Sequence, residues 1–208
     1  MKLFSYVVAH DCGFAPNPFF GWCTLACCKP KIRKEAVKDD WIVGLTPKKL
    51  GNDLVYAMQV QETMPFDQYW RDRRFKKKRP TYDTGQQVDK CGDNIYRPDP
   101  SASLRFRQLK SYHSRGCCEN ATNKKHDLNG ENVLVSRHYV YFGSKAIALP
   151  PEFKKHLKVE RGHKCNSIPE EVVTAFNRWA NRLISRHKAG RHGQPRDWDR
   201  GDSSCRKD

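Results

Sequence analysis

Only one segment carries the periodicity of a long helix. Within 167–187, Val172, Phe176, Trp179 and Leu183 recur every three or four residues, which gathers them on one face of an amphipathic helix. Pro169, Glu170 and Glu171 suit a first helical turn, and Ser167 is placed to cap it. The other apolar stretches are short and alternate, as strands do: 2–9, 41–44, 54–64 and 133–143. Residues 65–75 fit a short helix opening at Pro65, with Phe66, Tyr69 and Trp70 on one face. Helices this sparse cannot cover a doubly wound parallel sheet. The pattern predicts an α+β fold: a small, curved, mostly antiparallel sheet or partly closed barrel, with a C-terminal amphipathic helix. Residues 81–132 are polar and rich in turn formers and read as a long functional loop. The expected division is one domain over 1–187 and a disordered polar tail over 188–208.

Charge narrows the partner. Against 23 Asp and Glu stand 39 Lys and Arg, a formal net charge of +16, which favours a polyanion. The tail holds little of it: residues 186–208 carry seven cations against four Asp. The densest run is Arg71, Arg73, Arg74, Lys76, Lys77, Lys78 and Arg79, offset only by Asp72 and interleaved with Trp70, Phe75 and Tyr82. Cations that pair with phosphates, beside rings that stack bases, make this the expected nucleic-acid-binding segment. No apolar run approaches the roughly 20 residues that span a bilayer. The N-terminus reads as a first strand rather than a signal peptide, so the expected location is the cytoplasm, with no membrane partner.

Nine cysteines, an odd number, without a secretory signal argue for reduced thiols rather than a disulfide framework. The set Cys23, Cys27, Cys28, Cys91, His113, Cys117, Cys118, His126, His163 and Cys165 contains no CxxC pair, so a zinc site ranks below buried thiols and no metal ligand is assigned. No phosphate-binding GxxxxGK[ST] loop, GxGxxG turn or GxSxG elbow is present, and no cofactor is specified.

The remaining chemistry lies in loops. Asp11 and Asn17 stand in a Pro- and Gly-rich turn beside Phe19. Gly92-Asp93-Asn94 precedes Tyr96, and His126 adjoins Asp127. Asp93, His126 and Asp127 are the candidate acid/base residues. Asp11, Asn17, Phe19, Trp41, Asn94 and Tyr96 are the candidate substrate-binding residues. Turn chemistry alone would also place Asp and Asn here.

Several of these segments together resemble one family. FSYVVAHDCGFAPNPFFGWCTLACCKPKIRKEA, DWIVG, LVYAMQVQETMPFDQYWRDRRFKKKRP, GDNIY, HD and VLVSRHYVYFG look like the nucleotide modification associated domain 2 family. The resemblance runs from about residue 2 to 143, and GHKC at 162–165 would extend it, while the tail after 187 lies outside it. It implies association with systems that modify DNA bases, with Asp11, Asn17, Arg79, Asp93, Asn94, Tyr96, His126 and Asp127 at matching positions. AVKDDWIVG also looks like the strand entry of PUA-like barrels, with Asp39 where a Gly is usual. Two functions follow as expectations. The first is a nucleic-acid-binding protein of a DNA base modification system that recognises or helps generate a modified nucleotide, with DNA rather than RNA, or a nucleotide, as partner beside other modification proteins. The second is an enzyme acting directly on a DNA base or nucleotide, with His126 or Asp93 as acid/base. A third, a zinc-stabilised structural protein, has the least support.

Overall fold

The alternating segments become strands, and the long periodic segment becomes a helix. The computed structural model describes residues 1–157, 163–165 and 167–198 and divides into two units. The first comprises Met1–Ala9, Ala36–Glu62 and Ser136–Arg196; the second comprises His10–Glu35, Thr63–Val135 and Asp197–Asp208.

In the first unit, six strands form one mixed sheet. Their order is His163–Lys164, Leu3–Val7, Trp41–Leu45, Leu54–Gln59, Tyr139–Tyr141 and Gly190–Arg191. Leu3–Val7 runs parallel to Trp41–Leu45, and Gly190–Arg191 runs parallel to Tyr139–Tyr141, while the other neighbours are antiparallel. The helix Glu170–His187 covers one face. Val173, Phe176, Ala180 and Ile184 are buried against Leu3, Trp41, Val43, Ala57 and Val140. Val172, Trp179 and Leu183 lie half-buried at the margin of that contact. Phe176 is buried as predicted, and the other three buried positions lie one residue beyond the predicted Val172, Trp179 and Leu183. Pro169 stands at the N-cap, with no side-chain cap from Ser167.

The expectation of a partly closed barrel is corrected here. The six-stranded sheet is open, and among the described residues no strand joins its two edges. A barrel needs edge strands long enough to pair, and these edges are two residues each. Residues 188–198 are placed: His192 N–H donates to Tyr141 O at 2.7 Å, and Ser144 N–H donates to Gln194 O at 2.8 Å. Residues 199–208 of the expected tail lie outside the described residues.

The second unit is built from shorter pieces. A three-stranded sheet has the order Cys23–Leu25, Asn132–Ser136 and Glu62–Pro65. The pair Tyr96–Pro98 and Phe106–Gln108 makes a second ribbon. Its core gathers Phe14, Phe19, Cys27, Phe66, Tyr69, Phe75, Cys91, Tyr96, Tyr112 and Val133. The predicted strand 54–64 is two strands interrupted at Val60–Gln61, and 133–143 is two interrupted at Arg137–His138. At the latter break, Ser136 Oγ and His138 bond to each other through two contacts of 2.9 and 3.1 Å. The predicted helix 65–75 ends at Arg71. Asp72 is extended, and its carboxylate accepts the Arg74 N–H at 2.9 Å, opening a separate 3-10 segment over Arg73–Lys78. The stretch 81–132, read as loop, holds two short helices, Gln87–Lys90 and Ala121–Leu128, besides the ribbon.

Candidate functional site

Immediately after the strand Cys23–Leu25, the chain turns into the six-residue helix Pro30–Glu35 through Cys28 (φ +60°) and Lys29 (φ +42°). Two consecutive non-glycine residues with left-handed φ are costly, and surrounding structure must hold them there. Arg33 supplies that hold. Its fully buried guanidinium donates to Cys28 O at 2.7 Å, to Asn132 O at 2.8 Å and to Asp127 O. The Cys28 N–H donates to Asp127 Oδ1 at 2.7 Å. The turn thus presents a half-buried thiol on a constrained backbone.

That thiol faces a histidine. Cys28 Sγ lies 3.4 Å from His113 Nε2, and His113 Nδ1 lies 2.6 Å from Asp127 Oδ2. Tyr96 OH donates to the same carboxylate oxygen at 2.7 Å and accepts from Gln108 Nε2 at 3.3 Å. Asp127 is fully buried, and His113 is nearly so. Burial pushes the Asp127 carboxyl up, but the His113 charge and hydrogen bond, the Arg33 guanidinium and the Cys28 N–H outweigh it and hold it below the usual range. Burial likewise disfavours the His113 imidazolium, but Asp127 and Cys28 overcome it and raise His113 well above the usual range. A thiol, an imidazole and a buried orienting carboxylate in series form the arrangement that activates a nucleophile: one imidazole nitrogen exchanges a proton with sulfur while the other is fixed.

A second buried polar group adjoins it through Cys27, whose Sγ–H points to Asp93 O at 3.7 Å. Asp93 accepts from Thr24 Oγ1 at 2.6 Å and from Tyr69 OH at 2.8 Å. Lys78 is fully buried and donates to Asn17 Oδ1 at 2.5 Å, Asn17 O at 3.0 Å and Trp22 O at 3.0 Å. Asn17 Nδ2 donates to Cys91 O at 2.8 Å, and Asn94 Nδ2 donates to Tyr69 O at 3.2 Å. Gly92 sits where an added Cβ would meet Lys78 O at 2.3 Å, so the GDN segment can press against the Lys78 backbone only with glycine there.

The sequence candidates therefore separate. Asn17, Asp93, Asn94, Tyr96 and Asp127 share the interior of the second unit. His126 does not join them. It is exposed, while Asp127 is buried, because neighbours on the helix Ala121–Leu128 point about 100° apart. His126 instead lines an open groove of about 1020 Å³ with Phe66, Phe106, Lys125 and Glu131. Asp11 pairs its backbone reciprocally with Asp197, and Phe19 packs on Trp198 at 5.4 Å. Trp41 belongs to the first unit's core, where its indole N–H donates to Asn177 at 2.9 Å. In the basic run, Arg71, Arg73, Lys76 and Lys77 are exposed. Arg74, also exposed, is held by Asp72 and lies over Trp22 and Phe75, and Arg79 lies 3.9 Å over Trp70. Lys78 points into the core. Sequence reading placed Cys28 and His113 only among metal-ligating residue types. They are 85 residues apart, and no spacing rule links them.

Cys27 Sγ, His113 and Asp127 also offer three buried donors within 4.8 Å of one another. In this arrangement His113 and Asp127 are hydrogen-bonded to each other. Two ligands on one tetrahedral zinc, at about 2.0–2.1 Å each, stand about 3.3 Å apart, whereas 2.6 Å is a charge-assisted hydrogen bond.

The fold and site define an α+β protein with a thiol–imidazole–carboxylate series buried in its second unit. The model of nucleotide modification associated domain 2 matches residues 1–202, and the chain belongs to that family, which is associated with nucleotide modification systems. The match extends past the stretch that the sequence resemblance covered and takes in residues beyond 187. Neither the curated proteins nor the solved structures give a match. No helix among the described residues is long and apolar enough to cross a membrane.

Proposed function

We propose that this protein is an enzyme of a nucleotide modification system, with Cys28 as the nucleophile that acts on a base or nucleotide. The observation that carries this reading is the series Cys28–His113–Asp127. It has the hydrogen-bond order that a covalent thiol mechanism needs, on a backbone turn that four buried or partly buried bonds from Arg33 and Asp127 keep constrained. His113 exchanges the proton with the sulfur and with the leaving group, Asp127 fixes the ring, and Tyr96 completes the carboxylate's partners. Of the two expected functions this favours the enzyme, with His113 in the place expected for His126.

Peptide-resolved alkylation tests it. Iodoacetamide should label Cys28 faster than the exposed Cys117 and Cys118, and His113→Ala should slow Cys28 by about 10- to 30-fold at neutral pH, the loss expected when the sulfur returns to the ionised fraction of an ordinary thiol. In cells carrying the complete modification system, Cys28→Ser should remove the altered nucleoside from the DNA profile read by mass spectrometry. Cys28 labelling no faster than the exposed thiols, together with an unchanged profile in the serine variant, overturns the proposal.

Nucleic-acid binding supports the same role. The exposed Arg71, Arg73, Lys76 and Lys77, beside the cation–aromatic stacks of Arg74 and Arg79, suit a phosphate backbone. Changing those four to Gln should weaken duplex DNA binding and flatten log Kd against log salt by about one unit for each phosphate no longer neutralised. Equal slopes for variant and native protein place the DNA elsewhere.

A further inference from the structure

Four residues after His113, the same loop carries two adjacent cysteines. Cys117 and Cys118 are both exposed, with their sulfurs 3.8 Å apart. The turn beneath them is pinned at its base: Arg115 N–H donates to Cys118 O at 2.9 Å, and Cys118 N–H donates to Arg115 O at 3.0 Å. Gly116, at φ +61° with open space around it, gives the turn its freedom. Neither thiol belongs to the buried series, and neither is needed to fill a core.

We propose that Cys117 and Cys118 form a redox couple that closes to a vicinal disulfide by exchange with a small disulfide such as glutathione disulfide, and that closure disengages His113 from Cys28. The second half rests on the Cys28 reading. The exchange balances without further reagents. The thiolate of one cysteine attacks the small disulfide and expels one thiol. The neighbouring thiolate then attacks the mixed disulfide and expels the second. Two electrons and two protons pass from the cysteine pair to the two released thiols.

Bonding brings the sulfurs from 3.8 Å to about 2.05 Å, and because the ring so closed includes the Cys117–Cys118 peptide, the shift is shared between side-chain rotation and that peptide. Adjacent Cα atoms stand about 3.8 Å apart, closer than the ordinary disulfide range of about 4.4–6.8 Å, so the bond is strained and easily reduced, as a reversible couple requires. The path to the site is short. Ser114 Oγ bridges Ser111 O at 2.9 Å and Gly116 O at 2.8 Å, and Ser111 Oγ accepts the His113 N–H at 3.3 Å. Resetting the peptides of 116–118 pulls on the Gly116 carbonyl and hence on the turn that positions the imidazole.

The full-length protein is equilibrated in glutathione buffers from reducing to oxidising, quenched with N-ethylmaleimide and digested with trypsin. The peptide GCCENATNK, 116–124, contains both thiols and no other cysteine. Reduced, it should carry two maleimide groups; as the buffer oxidises it should appear with none and two hydrogens lighter than the free dithiol, and the labelling of Cys28 by iodoacetamide, followed on an unquenched portion, should slow about tenfold in step. A C117S/C118S variant should label at Cys28 at the fast rate in every buffer. Peptide that stays reduced, or collects separate glutathione adducts, overturns the couple. A closed disulfide with unchanged Cys28 labelling overturns the link to His113. Slow Cys28 labelling in all buffers and in the serine variant counts against Cys28 as nucleophile, while a lighter peptide still upholds the couple.

Discussion

Replacing Asp127 with alanine should lower folding stability by about 3–5 kcal/mol, measured as a drop in urea unfolding free energy. The carboxylate accepts from the Cys28 N–H, Tyr96 OH and His113 at 2.6–2.7 Å, the last two fully out of water and the first partly so. Alanine strands three donors and leaves a buried imidazole without its counter-charge, and the cost is their desolvation rather than the removal of a single bond. Asp127→Asn keeps the shape and should cost less, but it should slow Cys28 chemistry nearly as much as removing His113, because an amide no longer fixes the ring as the carboxylate does.

The pH dependence of this destabilisation carries a sign. His113 is raised in the fold, so its contribution is complete below the unfolded value of about 6.5 and fades as pH rises through the folded one. Asp127 is lowered, so its contribution is complete above about 3.9 and fades as pH falls through its folded value. The gap between native protein and Asp127→Asn should therefore be widest between about pH 4 and 6.5. A gap that grows above that window instead would mean a neutral His113 in the fold.

Local pattern revealed elements, and burial decided which polar residues matter. The strands at 3–7 and 41–45 and the helix at 170–187 follow from period-2 and period-3.6 runs, since tertiary packing reinforces what the chain already favours. Breaks inside apolar runs, at Val60–Gln61 and Arg137–His138, escape such reading because the residues beside them still alternate. Asp93, Asn94, Tyr96 and Asp127 were legible as candidates through the family resemblance, since turn chemistry alone would also place Asp and Asn in such loops. Their partners were not: Cys28, His113 and Arg33 come from distant parts of the chain or carry no motif, and only the folded chain brings them together with Asp127. The seven cations of 71–79 looked equivalent in sequence, yet the 3-10 segment turns Lys78 inward while Lys76 and Lys77 stay in solvent.

Lys78→Met should accordingly behave as a core substitution rather than a surface one, costing about 3–5 kcal/mol in unfolding free energy. Methionine fills the space of the stem, but Asn17 O, Asn17 Oδ1 and Trp22 O each lose the ammonium donor, Asn17 O keeping the Thr24 N–H at 3.0 Å and Asn17 Oδ1 only the long Phe19 N–H contact at 3.4 Å, and Asp93 is deprived of the Lys78 charge. Burial lowers the Lys78 amine to about 8 against the pull of Asp93, and burial raises Asp93 although Lys78, Thr24 and Tyr69 oppose it. Both groups are drawn toward neutrality, so desolvation exceeds their attraction, and the amine contributes chiefly by its hydrogen bonds. With a folded value of about 8 below an unfolded one of about 10.4, the unfolded chain holds the extra proton between them. The native protein should then gain up to about 3 kcal/mol from this group as pH rises across that window, and Lys78→Met should not. The buried Cys23 and Cys27 thiols, raised by burial, pull stability the other way in both proteins, so the informative quantity is the difference between the two unfolding curves. That difference should widen from about pH 8 to about pH 10. A constant difference would mean that the amine is solvated and belongs with its neighbours on the phosphate-binding face.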